Sequence, residues 1–174
     1  MEESKNKRIE LVSIIIAIVG VLLPRTSFQM EGVERSFQSG IDYILLLFRV
    51  ESFTEWFSNF LSGNPLGFLM FWIQYITYTI AILLLVVNLF KLIMSFDQHE
   101  IESELAIEEK KNISQFAFIL FIITGVAFLI SWIHNVVSIG GWQFMSIRLS
   151  IGYFVTLIAS GFPVIYLNNR QNYH

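Results

Sequence analysis

The sequence contains no cysteine, which excludes a disulfide framework, a thiolate nucleophile and a cysteine-ligated metal site. Charged side chains are scarce as well, at 14% of residues against about 25% in soluble domains. The net charge of −3 comes with no basic patch, so we expect no nucleic-acid partner. What the chain has in excess is hydrophobic residues, at 55% of the total.

The longest features are runs without a formal charge. Residues Leu66 to Phe90 contain none, and Lys91 ends the run. About 20 apolar residues in a helix cross the roughly 30 Å hydrocarbon core of a bilayer. We therefore interpret this segment as a membrane span, and we expect lipid to be the solvent for most of the chain.

Three further runs predict an all-α integral membrane protein, a four-transmembrane-helix bundle that forms a single domain. The predicted spans are 9–24, 66–93, 113–137 and 148–167. The first is short, and its basic start with a 13-residue apolar core also resembles a secretory signal peptide. No A-x-A-like cleavage site follows it, so we interpret it as an uncleaved span.

Residues 25–65 form the long first outer segment. Its first part is polar with two glycines, which predicts a loop or short helix. Its second part, Ile41–Leu61, is apolar but carries four charges, which are costly at the centre of a bilayer. We expect an amphipathic, interfacial or re-entrant helix here, with a fifth span as the less favoured alternative. Its candidate outer-mouth or partner-surface residues are Arg49, Glu51, Glu55 and Trp56.

Polar and small residues recur at helical spacing within the predicted spans. Spacings of three and four residues place side chains on one face of a helix. The face in the second span comprises Gln74, Tyr78, Ala81, Leu85 and Asn88, and those in the others comprise Ser13, Ala17 and Gly20, then Ala117, Thr124, Ser131 and Asn135, then Gly152, Thr156 and Ser160. We expect these faces to join helices, and a transport path along the second-span stripe is the alternative.

The loop between the second and third spans, residues 94–112, is rich in carboxylates. Glu100, Glu104 and Glu108 would align on a helix, but no EF-hand or H-E-x-x-H pattern is present. We predict a solvated acidic, helical loop without a metal site.

Flanking charge predicts the orientation, since positive residues near spans tend to stay cytoplasmic. Four spans put seven basic residues on the side of the termini, Lys5, Lys7, Arg8, Lys91, Lys110, Lys111 and Arg170, and four on the other side, Arg25, Arg35, Arg49 and Arg148. We expect a cell-membrane protein with both termini and the acidic loop in the cytoplasm.

No ionisable residue lies at mid-depth in the predicted spans, and no catalytic, haem, zinc or nucleotide motif occurs. We therefore expect neither catalysis nor a cofactor. Two functions remain. One is a structural or assembly module, either self-associating or an accessory subunit of a larger membrane complex. The other is an oligomeric channel or transporter subunit.

The layout of a short first span, a long outer segment and a tight second outer turn, which we expect at 138–146, is similar in outline to claudin-like tetraspans. Those proteins carry a tryptophan and a cysteine pair in the first outer segment, whereas this chain has Trp56 there and no cysteine. The resemblance implies a topology, and no residue role is carried over from it.

Overall fold

A computed structural model describes residues 2–30, 36–39, 41, 45, 58, 65–97, 104–139 and 145–171. Four helices dominate this part of the chain. They are α1 (Glu2–Leu22), α2 (Pro65–Asp97), α3 (Glu104–Ile139) and α4 (Ile151–Gln171). The prediction of a largely helical chain is confirmed. Proline at the first position of α2 suits a helix start, because its missing N–H has no partner there in any case.

The helices run alternately up and down. In α2 and α3, Asn88 contacts Ser114 near one end of the pair, and Thr77 contacts Thr124 nearer the other. In α1 and α4, Thr156 bonds to Ala17. A Cβ on Gly152 would meet the carbonyl oxygen of Gly20. Both pairs are therefore antiparallel.

One end of the bundle carries a three-stranded antiparallel sheet, and we call it the sheet end. Its strands are β1 (Pro24–Met30), β2 (Ser36–Ser39) and β3 (Met145–Leu149), in the order β2-β1-β3. Thr26 of β1 pairs with both Gln38 and Leu149. The strand directly after α1 thus pairs with the strand directly before α4.

This sheet corrects three predictions. The start of the segment 25–65 forms strands instead of a loop or short helix. The turn expected at 138–146 ends in β3, and the last helix begins at Ile151 instead of residue 148. The pairing of β1 with β3 joins residues more than a hundred positions apart, so no local pattern could reveal it.

The segment predicted as the loop 94–112 is largely helical, since α2 continues to Asp97 and α3 begins at Glu104. The helix expected over Ile41–Leu61, with Arg49, Glu51, Glu55 and Trp56, lies outside the described residues apart from the single positions 41, 45 and 58.

Within the described residues, two helices are long and apolar enough to cross a membrane, over Trp72–Ser95 and Glu108–His134. Only 28% and 33% of their most apolar windows are buried in the protein. The core helix of a soluble protein would be mostly buried. Here large aliphatic and aromatic side chains on all four helices face outward, among them Leu83, Phe90, Phe116 and Ile158.

Candidate functional site: buried polar layers in an apolar shell

Polar groups collect inside the bundle. In soluble proteins such residues are mostly exposed, whereas here they are buried beside core residues such as Leu85 and Phe121. The buried polar and charged residues are Glu10, Ser13, Arg25, Thr26, Gln74, Asn88, Lys110, Ser114, Thr124, Thr156 and Ser160. A buried polar group is costly unless it is hydrogen-bonded, so the partners of these groups define the site.

The polar stripe of the second predicted span lies on the buried face of α2. Gln74, Tyr78 and Asn88 are each at most 3% exposed, as are Ala81 and Leu85 between them. Tyr78, Ala81 and Leu85 belong to the hydrophobic core together with Phe121 of α3. Apolar side chains therefore separate the amides at the two ends of the stripe.

In the middle of the bundle, two threonines join α2 to α3. The hydroxyl oxygens of Thr77 and Thr124 lie 2.7 Å apart. Each can also donate to a carbonyl of its own helix, Thr77 to Ile73 at 2.6 Å and Thr124 to Leu120 at 2.8 Å. Thr124 was predicted from its spacing. Thr77 was not predicted, although it lies three residues after Gln74 and four before Ala81 and so borders the same face of α2.

Further along the same interface, the amide nitrogen of Asn88 donates to the hydroxyl of Ser114 at 2.8 Å. Both side chains are buried. Ser114 was not predicted as a site residue. Its signal is its helical register with Ala117, Phe121 and Thr124, which share the buried face of α3.

Replacing Ser114 with alanine removes this bond and leaves the buried amide of Asn88 without its partner. We expect the free energy of unfolding in mixed micelles to fall by about 1 kcal/mol, as for other bonds between helices in membranes. Ser160→Ala is the matched control, because the Ser160 hydroxyl donates within its own helix to Leu157 at 2.9 Å. Equal losses in the two variants would contradict a specific role for Asn88 and Ser114.

The small-residue faces predicted on the first and fourth spans pack against each other. Thr156 donates its hydroxyl to the carbonyl of Ala17 at 3.2 Å and to that of Gly152 at 2.8 Å. Gly20 lies directly against Thr156. Small residues let helix backbones approach closely, and here they do so within one chain.

Arg25 closes the sheet end of the bundle. It is fully buried, and its guanidinium lies 4.1 Å from the centre of the Tyr78 ring. The Tyr78 ring in turn meets Phe121 edge-on, with centroids 5.7 Å apart. The hydroxyl of Tyr153 donates to the Phe121 carbonyl at 2.7 Å. From the sequence, Arg25 is only a positive charge flanking the first predicted span; its place after Pro24, where α1 has ended, gives no sign of its burial.

The opposite end, which we call the charged end, holds Lys7, Lys91, Glu109 and Lys110. Lys7 donates to the carbonyl of Ser95 at 3.4 Å, and buried Lys110 donates to the Ser95 hydroxyl at 3.3 Å. Lys91 and Glu109 form an ion pair. The aliphatic part of a lysine side chain can lie along apolar surface while its ammonium group stays in polar surroundings. The contacts of these lysines connect α1, α2 and α3 at the charged end.

The remaining predicted residues are less fully placed. Ser131 is half-buried, and Asn135 lies in α3 with its side chain outside the described ones. Gly152 is buried beneath the sheet end. Over the residues with described side chains, no three histidine, aspartate or glutamate groups come together as metal ligands.

Comparison of the chain with protein-family models, with curated proteins and with solved structures gives no significant match. The site is therefore interpreted from its own geometry.

Proposed function

We propose that this chain is a four-span membrane protein that acts as a structural or assembly module, as an accessory subunit or by self-association. The observation that carries the proposal is the inverted burial of its side chains. Polar groups such as Thr77, Asn88 and Thr156 face inward onto hydrogen-bond partners in neighbouring helices, and large hydrophobic side chains cover the outside. In lipid this is the favourable arrangement, because a polar group facing hydrocarbon would be unsatisfied.

The proposal of four spans rests on the argument that all four helices lie at the same depth in the membrane. α2 and α3 have the length and hydropathy of spans. α1 and α4 are antiparallel neighbours of these spans: α1 contacts α2 through Lys7 at Ser95, and α4 contacts the middle of α3 through Tyr153 at Phe121. A helix that packs along a span lies at the same depth. The 15-residue apolar part of α4, Ile151–Ile165, covers only about 23 Å, so its flanks complete the crossing.

Aromatic residues mark where one membrane surface would lie. Trp72 in α2 and Trp132 in α3 are both near the sheet end. Trp72 meets Tyr75 edge-on with centroids 5.9 Å apart. Tryptophan and tyrosine favour the interface between hydrocarbon and headgroups, which supports a bilayer edge at this level of α2 and α3. The charged end then lies at the cytoplasmic surface, as the distribution of basic residues favours.

A structural role is favoured over conduction by what fills the interior. The second-span stripe includes Tyr78 and Leu85, which pack into the core with Phe121. Its polar member Asn88 bonds to Ser114 of α3. A path for ions needs a hydrated lining. Along this stripe, packed side chains fill the interior, which disfavours conduction.

The sheet end supplies a surface for a partner. β1 joins the first and last helices through its pairing with β3, and Arg25 fixes it over Tyr78. The small-residue faces of α1 and α4 are used within the chain, so association through the membrane would use other helix surfaces. A rigid sheet held above a closed bundle suits a module that binds another protein.

We expect the chain, purified in mild detergent, to elute as an oligomer or with co-purifying chains, and to give no ion flux in liposomes. Reading size by light scattering and flux by a dye-release assay separates the candidates. A defined ring that conducts would establish the channel alternative. A particle that stays monodisperse in buffer without detergent or lipid would contradict the membrane placement itself.

A further inference from the structure

A groove of about 560 Å³ runs along the outside of the bundle between α1 and α4. Its lining comes from two helices and is apolar apart from Arg8 and Ser13. The residues that line it are Arg8, Ile9, Val12, Ser13, Ile16, Val155, Ile158, Ala159 and Phe162. Its volume lies within the range of about 300–1,000 Å³ that is usual for small-molecule sites.

The groove exists because small side chains separate larger ones. Ser13 and Ala159 are buried between the helices, while Val12, Ile16, Ile158 and Phe162 are exposed around them. The Ser13 hydroxyl donates to the carbonyl of Glu10 at 2.8 Å, so it is used within its own helix. The interior of the groove therefore offers apolar contact.

The groove is short enough to lie within one leaflet of a bilayer, and it begins at the charged end of the bundle. Between Ile9 and Ile16, α1 rises about 10 Å, which is less than the roughly 15 Å of one hydrocarbon leaflet. One end lies at the charged end of the bundle, where Arg8 is located, and the other lies near mid-depth. The occupant that fits such a site is a hydrocarbon chain with its head at the membrane surface.

Arg8 determines which lipid headgroup the groove favours. Its side chain is exposed at the mouth of the groove, and no ion pair with it is found among the described side chains. A guanidinium presents planar donors that match a phosphate in bidentate geometry. A basic side chain at a cytoplasmic lipid pocket favours anionic headgroups.

We propose that this groove binds one anionic phospholipid of the cytoplasmic leaflet, with an acyl chain between α1 and α4 and its phosphate on Arg8. The inference rests on the proposed membrane placement and adds a ligand to it. Lipid bound at a fixed place would seal the seam between the first and last helices, which touch closely at the sheet end through Gly20 and Gly152.

The first test is native mass spectrometry of the full chain in mild detergent, titrated with dioleoyl phosphatidylglycerol or dioleoyl phosphatidylcholine. We expect one phosphatidylglycerol adduct with about five- to tenfold higher occupancy than the phosphatidylcholine adduct. Arg8→Gln should bring the two lipids to equal occupancy. Lys111→Gln removes the same charge from α3 outside the groove, and it should leave the preference intact. Preference retained in Arg8→Gln, or lost equally in Lys111→Gln, would overturn the proposal.

The second test fills the groove from its exposed side. We expect Val12→Trp to lower the occupancy of both lipids at least fivefold, whereas Ile15→Trp on the same helix should not, because Ile15 is exposed but does not line the groove. A photoreactive phosphatidylglycerol should label α1 and α4 in the wild type and lose this labelling in Val12→Trp. Labelling spread equally over α2 and α3 would overturn the site while leaving the membrane bundle standing.

Discussion

Gly152→Ala is expected to lower the free energy of unfolding by about 3 kcal/mol, at the upper end of the usual range for overpacking. A Cβ at this position would lie 2.7 Å from the carbonyl oxygens of Gly20, Leu23 and Pro24. All three are backbone atoms, so relief requires the end of α1 and the start of β1 to move. Alanine is intrinsically the better helix former by about 1 kcal/mol, so a net loss reports the packing of α1 against α4.

The matched control is Gly161→Ala in the same helix. There the new Cβ would meet only the ring of Phe118, with the nearest ring carbon at 2.8 Å, and a side chain can rotate aside. We expect a change within about 1 kcal/mol of wild type. Unfolding is followed by circular dichroism during titration of mixed micelles with a denaturing detergent. If the two alanine variants were equally stable, the contact between α1 and α4 would not be as close as described.

Arg25→Ala is expected to lower the free energy of unfolding by about 3–5 kcal/mol. Two contributions add: a desolvated cation–π contact of about 2 kcal/mol, and the void left by a long, fully buried side chain. Because Arg25 lies in β1 and Tyr78 in α2, the loss should also loosen the sheet. Hydrogen exchange of the backbone amides of residues 25–30 should speed up more than that of amides in the middle of α2 and α3.

Arg8→Ala is the control, since it makes the same substitution at an exposed position and should change stability by no more than about 0.5 kcal/mol. A double-mutant cycle of Arg25→Ala with Tyr78→Leu should give a coupling energy of about 1–2 kcal/mol. Additive losses would contradict the contact between the guanidinium and the ring. Arg25→Lys should restore only part of the stability, because an ammonium lacks the planar stacking surface of a guanidinium.

These two sites act at the same end of the molecule. Gly152 lets the backbone of α4 lie against the turn between α1 and β1, and Arg25 of that strand fills the interior above Tyr78. The sheet is thus held by contacts within the bundle as well as by its own hydrogen bonds. The proposed partner surface depends on this attachment, and the two variants measure it without reference to any partner.

The sequence by itself determined the helices and the faces they bury. Charge-free runs located α2 and α3, and spacings of three and four residues identified buried faces such as that of Gln74, Tyr78 and Asn88. Both signals are local. An uncharged run reports that a segment avoids water, and helical periodicity reports which side chains share a face, whatever lies opposite.

Only the tertiary structure decided what those faces meet. Nothing in the spacing of Ser13, Ala17 and Gly20 tells whether a second copy or α4 covers them, since close packing looks the same from one helix alone. The pairing of β1 with β3 joins segments separated by two long helices, and the burial of Arg25 depends on an aromatic ring more than fifty residues away. These contacts are set by the energy of the assembled bundle, in which polar groups such as Asn88 bond to partners that their own helix does not contain.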